Sequence, residues 1–379
     1  MAKIAAAALK EGQKFTKPVF IDDDNIFIPE NTAIRAKDLG LLASLGIDEV
    51  FTDGTLVPGS PESASAGQDG PAFAAEPKTR QSDAEVLTVV TRLVRQLGAI
   101  FNAIAGKKQV NLRLLWVVTD GLLQLVKADS DSLLNLIVSE SVTGQEIAKK
   151  GVYTAAVAAV IGEKLDFPAK ENQELAAAAL LHDAGMLRLP DSIAKKSGPL
   201  SAREVDTVMT HPLLSFNILK KELLYPDSVC MIALEHHEHW DGTGYPRRIS
   251  GGDIEQGALI LSVADAFTAM MCRCAYRSPM TGYQAMKTLM AGAGSFFSPD
   301  VLQTFVRIIG VYPIGSGVLL NDGSVARVAA INASAPLRPV LRIAAADSGA
   351  AGEETVDLLT NHSLFITGAV DLASLGEQP

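Results

Sequence analysis

Residues 180–193 read LLHDAGMLRLPDSI: an imidazole and a carboxylate side by side at His182 and Asp183, then a glycine, then a break at Pro190. This segment closes a helical stretch at 172–182 and sits in a long run of similar texture. Outward from it, the spacing predicts helices around 108–127, 131–139 and 146–166, with more following to about residue 310. Pro168, Pro190, Gly198-Pro199, Pro226 and the glycines of 242–252 separate them. The run opens at Ser82-x-x-Glu85, a capping-box pattern, behind which Val86, Val90, Leu93, Leu97, Ile100 and Ile104 form an apolar stripe. That stripe is a bundle face or a dimer seam. So many helices with almost no strand pattern predict a mainly α fold, a helical bundle over 82–312.

Both ends differ from this middle. Residues 1–56 read as a small β-rich domain with a short helix: KPVF and NIFIP flank the turn Asp22-Asp23-Asp24-Asn25, and DEVFTDG ends at Asp53-Gly54. Residues 57–81, rich in Pro, Gly, Ser and Ala, read as a flexible linker. From 313 to 379 the texture is β again. VLLNDGSVARVAAI alternates around Asn321-Asp322-Gly323, and RPVLRIAAA and ETVDLLT follow across the glycine-rich DSGAAGEE.

A chain of 379 residues with 48% hydrophobic and 20% charged residues has length for more than one domain and apolar content for a core. The formal net charge of −10 argues against a duplex nucleic-acid partner, while leaving room for a local basic pocket around a small anion. Cys230, Cys272 and Cys274 make no disulfide framework, which fits a reducing cytosol. Cys272 and Cys274 are spaced as a metal pair, but a C-x-C without a second pair is more often core filler. The N-terminal apolar stretch is short for a signal peptide, and Asp265 interrupts the longest apolar run, so the expectation is a cytoplasmic protein with no membrane partner.

The chemistry concentrates in a narrow window. The chain has six histidines, and five lie between 182 and 239: His182, His211, His236, His237 and His239. Asp265 sits in the otherwise apolar LILSVADAFTAMM, where a charge is costly unless paired or bound to a cation. Neutral imidazoles with carboxylates suit iron, manganese or zinc. Two such ions clamp the attacking and leaving oxygens of a displacement at phosphorus, and Asp183 has two oxygens with which to bridge them.

LLHDAGMLRLPDSI resembles the HD-x-G-x-x-x-x-P-D segment of the HD-GYP family. THPLLSFNIL at 210–219 resembles the following helix, HHEHWDGTGYP at 236–246 carries the GYP signature, and ILSVADAFTAM with AYR resembles the downstream aspartate helix. The likeness spans about 145–310. It implies an HD-type helical bundle that hydrolyses cyclic di-GMP, to the linear dinucleotide or GMP, through a metal-activated hydroxide; some members take mixed cyclic GMP-AMP. Metal ligands are implied at His182, Asp183, His211, His236, His237 and Asp265, with Glu146 as a further one. They imply two divalent ions, manganese or iron ahead of zinc. Asp183 is an expected catalytic group, with His239 a candidate proton donor near the leaving oxygen, and Arg273, Arg277 and Tyr245 are the expected substrate contacts. The GYP loop implies a diguanylate cyclase partner, and a homodimer is a further expectation.

Three positions depart from the family pattern. A histidine ligand expected before the HD segment falls on Lys150, and no histidine precedes His182 to replace it. Met186 stands where the family has a lysine, and Cys274 where it has an arginine; the second aspartate of the downstream helix is Thr268. These departures leave a second reading open: a degenerate module that binds cyclic di-GMP, or a cyclase, without hydrolysis.

Overall fold

A computed structural model describes the chain apart from Met1, Pro18, 21–25, Pro29, 37–38, 40–41, 43–48, 58–82, 140–141, Lys195, Ser197, 273–279, 344–353 and 371–379. Two units divide it, one spanning Arg80–Ile308 and the other drawing on Met1–Thr79 and Ile309–Gln378. Residues 57, 58–81 and 347–354, read above as linker and glycine-rich turn, lie almost wholly outside the described residues, as do Ser82 and Asp22–Asn25.

The helical unit runs through α1 (Asp83–Ala105), α2 (Leu112–Ser139), α3 (Glu146–Lys164), α4 (Ala169–Leu181), α5 (Asp191–Ala194), α6 (Ala202–Val208), α7 (His211–Asn217), α8 (Asp227–Glu235), α9 (Gln256–Met271), α10 (Gly282–Ala291) and α11 (Pro299–Ile309). The stripe Val86, Val90, Leu93, Leu97, Ile100 and Ile104 on α1 is buried within the chain, so it is a bundle face. Each such side chain contributes about 1.5–3 kcal/mol relative to exposure. By length and composition α1 is the described helix that meets the test for a membrane span, a feature the apolar-run reading passed over. The expected helices at 108–127 and 131–139 are one element, α2, kinked at Asp129 (φ −157°, ψ 79°). There the Asp129 carboxylate accepts the Ser132 N–H at 3.0 Å and caps the second half.

At the centre lies α3, packed against α1, α2, α4 and α9. Its sequence GVYTAAVAAVIG is buried all round, and its small side chains let neighbouring backbones approach closely. Pro168 and Pro226 stand immediately before α4 and α8, where a missing N–H costs nothing. Thr154 of α3 and Thr268 of α9 share a buried hydrogen bond at 2.7 Å, so the position where the family has an aspartate is used here to join two helices.

In the other unit, β1 (Ala2–Ala5), β2 (Val19–Phe20), β3 (Ile26–Ile28) and β4 (Glu49–Thr52) form an antiparallel sheet in the order β1-β4-β2-β3. Its core holds Leu9, Phe15, Val19, Ile28, Ile34, Leu42 and Val50. The pairing of β2 with β3 and the strand at DEVFTDG match the sequence reading. Alanine-rich β1 has no alternation of its own and is a strand because it pairs with β4. A second antiparallel sheet orders β8 (Glu354–Asp357), β7 (Val340–Ile343), β6 (Val325–Ala330), β5 (Gly317–Leu320) and β9 (Ile366–Val370). The β5–β6 hairpin turns at Asn321-Asp322-Gly323, with Gly323 at φ 87° as such a turn requires. β9 is likewise unexpected, its ITGAV being short and poor in large side chains.

Candidate metal centre

Local packing at a glycine builds the first half of the centre. After α4 ends at Leu181, the chain passes His182 and Asp183 into a 3-10 turn, Ala184–Arg188. A Cβ on Gly185 would stand 2.1 Å from the His211 carbonyl oxygen and 2.7 Å from the Ser215 nitrogen, so a glycine lets α7 lie directly on the turn. Ser215 fastens the contact: its hydroxyl accepts the Gly185 N–H at 2.8 Å and donates to the His182 carbonyl. This seats His211 beside Asp183, Nε2 to Oδ1 at 3.3 Å. His236 and His237 follow the end of α8, and Asp265 enters from the buried middle of α9.

His182, Asp183, His211, His236, His237 and Asp265 all converge on this place. Ligand atoms of His211, His236 and His237 lie within 4.8 Å of one another, and so do those of His182, His236 and Asp265. Three of the imidazoles are locked in one orientation. Nδ1 of His182, His211 and His236 meets the carbonyl oxygen three residues earlier, Ala179, Val208 and Ala233, at 2.7, 2.8 and 2.8 Å. A carbonyl only accepts, so each Nδ1 carries the proton and each Nε2 faces the cluster. His237 is held differently, its ring stacked on Tyr245 at 4.9 Å and 24°.

Burial and charge then separate two ends. Burial, the largest influence, lowers His211, holds His236 well below its ordinary value and takes His237 to about 3, so these three are neutral imidazoles. At the other end Lys150, reaching in from α3, places Nζ 2.7 Å from Asp183 Oδ2 and 2.9 Å from Asp265 Oδ1. Burial opposes the ammonium, but the two carboxylates outweigh it and raise its pKa. Burial likewise opposes charge on His182, which Asp183 and Asp265 nonetheless lift to about 10. Its Nε2 stands 3.1 Å from Asp265 Oδ1 and 3.3 Å from Asp183 Oδ2. Burial would push both carboxylates up, yet Lys150 and His182 hold them well below the usual range. Neutral imidazole nitrogens beside an ionised carboxylate are a donor set that fits a first-row divalent ion.

The other predicted residues have different surroundings or lie outside the described residues. Glu146 is not brought into the cluster: its side chain is 59% exposed and pairs with Lys149 at 3.0 Å, turned along the helix surface. His239 bonds Thr243 through Nδ1 at 2.9 Å and packs on Phe296. Because the Thr243 hydroxyl already donates to Asp241 at 2.6 Å, His239 is the donor in that bond. Tyr245 walls the histidine cluster, and burial foremost raises its phenol, so it stays protonated. Arg273, Cys274 and Arg277 lie outside the described residues.

Sequence reasoning missed the supports of the GYP loop. Glu235 and Glu238 are buried: Glu235 accepts the Glu255 N–H at 2.8 Å and pairs with Arg247, while Glu238 accepts the N–H groups of Arg247 and Arg248. At Gly244 a Cβ would lie 2.3 Å from the His239 nitrogen and 2.5 Å from the His237 oxygen, so the loop folds flat onto the histidines that precede it. The signal was present, since both glutamates flank the double histidine in LEHHEHWDG.

Comparison with known proteins agrees with this geometry. Residues 131–301 match the HD domain, and 317–378 match the KOW domain associated with HD domain. A probable cyclic di-GMP phosphodiesterase of Vibrio cholerae is 38% identical over 136 residues, 34% of this chain and 31% of that protein. A cyclic di-GMP phosphodiesterase of Thermotoga maritima is 36% identical over 138 residues, 36% of this chain and 37% of that one. The chain thus spans about a third of the length of either relative. The solved structure of Bd1817, an HDG"Y"P protein from Bdellovibrio bacteriovorus, superposes with a TM-score of 0.50 at 15% identity, over 81% of this chain and 98% of that one. With its histidines and aspartates gathered inside a matching helical fold, the chain carries an HD domain over residues 131–301.

Proposed function

We propose that the chain is a metal-dependent phosphodiesterase that hydrolyses cyclic di-GMP to the linear dinucleotide or GMP. The observation that carries this reading is the inward aim of His211 and His236 Nε2, with His237, beside the ionised Asp183. These residues would hold the cation, manganese or iron, with His182 and Asp265 at the far end. A divalent ion there would polarise a phosphoryl oxygen and lower the pKa of a bound water. Around it the protein keeps imidazoles neutral by burial, orients them by backbone carbonyls and walls them with Tyr245. Both relatives named above carry cyclic di-GMP phosphodiesterase in their names, which supports the substrate. Cys230, a reduced thiol that donates to the Tyr225 carbonyl, supports a reducing cytoplasm.

The test is chromatography of nucleotides after incubation of Mn- or Fe-loaded protein with cyclic di-GMP, with mixed cyclic GMP-AMP in parallel. Absence of product from protein verified to hold metal rejects catalysis. A second reading, binding without hydrolysis, draws on the Lys150 contacts to Asp183 and Asp265. Calorimetry separates the two: a stable complex with no product favours the sensor.

A further inference from the structure

We propose that the Lys150 ammonium is a built-in replacement for a second divalent ion, so that the centre holds one metal per chain, at the His211–His236–His237 end. The inference rests on the metal-site reading above and deepens it.

Asp183 shows the division. Its Oδ1 faces His211 Nε2 at 3.3 Å, toward the three neutral imidazoles. Its Oδ2 faces Lys150 Nζ at 2.7 Å and His182 Nε2 at 3.3 Å. At that second end Asp265 Oδ1 also takes Lys150 at 2.9 Å and His182 at 3.1 Å. One ammonium thus contacts a carboxylate oxygen from each aspartate, on the side where His182, His236 and Asp265 form the second cluster of ligand atoms. Lysine has three donors and no lone pair while charged, so it fills such a position as a cation and not as a ligand.

A divalent ion on the same two oxygens, at about 2.0–2.2 Å from each, would lie within about 5 Å of the ammonium and be repelled by it. The charge balance points the same way. One divalent ion with one ammonium already exceeds the charge of two carboxylates, leaving a net positive pocket for a phosphodiester. Position matters as well as charge: Lys150 stands on α3, the helix packed against both α4, which leads into His182, and α9, which carries Asp265. From there its side chain reaches both carboxylates and is only 24% exposed.

The experiment loads the full chain with manganese without oxygen, removes excess by desalting, and reads metal per chain by mass spectrometry alongside the electron paramagnetic resonance spectrum. Expected for the native chain are one manganese and the six-line signal of an isolated ion. Lys150→His is expected to bind two and to show a spin-coupled pair. If that variant does not fold, as judged by circular dichroism, Lys150→Met is read instead. With the ammonium gone and no ligand added, it is expected to take a second ion at manganese concentrations at least ten-fold higher than the first requires. Two coupled ions in the native chain would overturn the inference while leaving the phosphodiesterase reading intact. No bound metal would overturn the metal site itself. A single ion in the folded variant, whatever the manganese supplied, would show that Lys150 does not occupy a metal position.

Discussion

Gly185 lies so close beneath His211 that a side-chain carbon on residue 185 would stand 2.1 Å from the His211 carbonyl oxygen. Since that oxygen is backbone, relief requires moving α7 as a whole. Gly185→Ala is expected to cost about 3 kcal/mol in urea unfolding, at the upper end for overpacking. Retained manganese should fall at least ten-fold, because His211 leaves Asp183. Gly198→Ala, where an added Cβ meets nothing within 4 Å, is the matched control and should change neither. Equal behaviour of the two variants would contradict this account of the turn.

Tyr245 is expected to act through its ring. Its stacking on His237 is a packing contact, so Tyr245→Phe should keep metal affinity close to native. Tyr245→Ala should lower it by about ten-fold, the small end of the usual effect of losing a group that orients a ligand. Titration of chelated protein with manganese measures both; a large loss in the phenylalanine variant would assign the role to the hydroxyl instead.

Thr154 and Thr268 offer a test of the α3–α9 joint. Thr268 also donates to the Ala264 carbonyl at 3.0 Å, so Thr154 supplies the proton for the 2.7 Å bond between the two hydroxyls. Replacing either threonine by valine should cost about 1–2 kcal/mol by leaving a buried hydroxyl short of its partner. The double variant should cost less than the two single losses combined, and the cycle reads their coupling. Strict additivity would mean that the hydroxyls do not interact.

Stability of the metal-free protein should depend on pH in both directions. His211, His236 and His237 have pKa values lowered on folding, so the stability they confer is complete above about 6.5, the unfolded value, and is lost as pH falls, for His237 toward about 3. His182 is raised, so its contribution is complete below about 6.5 and disappears as pH rises through about 10. Urea unfolding of chelator-treated protein is therefore expected to be hardest near pH 6.5. A stability that climbs steadily from pH 6.5 to 10 would contradict the assignment of His182.

Much of this centre was readable from residue order, because the helical breaks, the HD pair and the double histidine each carry a local signal. The α1 stripe, the β5–β6 hairpin and the proline breaks were legible for the same reason. What failed lay in side-chain placement and in contacts between distant segments. Glu146 shares a helical face with Lys150 by spacing, yet its carboxylate turns to Lys149, a choice made by side-chain rotamers. That Lys150 lacked ligating power was plain from its chemistry; that its ammonium lies between Asp183 and Asp265 depends on how α3 packs against α4 and α9. β1 and β9 are strands only because an edge was available to pair with.

Each locked imidazole borrows a carbonyl from the last turn before it, so its Nδ1 side is anchored by helix backbone and its Nε2 is turned inward. Fraying any one of those turns frees its ring to rotate out of the cluster. Capture of an ion by His211 and His236 would consequently report on two separate chain segments at once, and an ion present at a hundred times its dissociation constant would return about 2.7 kcal/mol to keeping them wound.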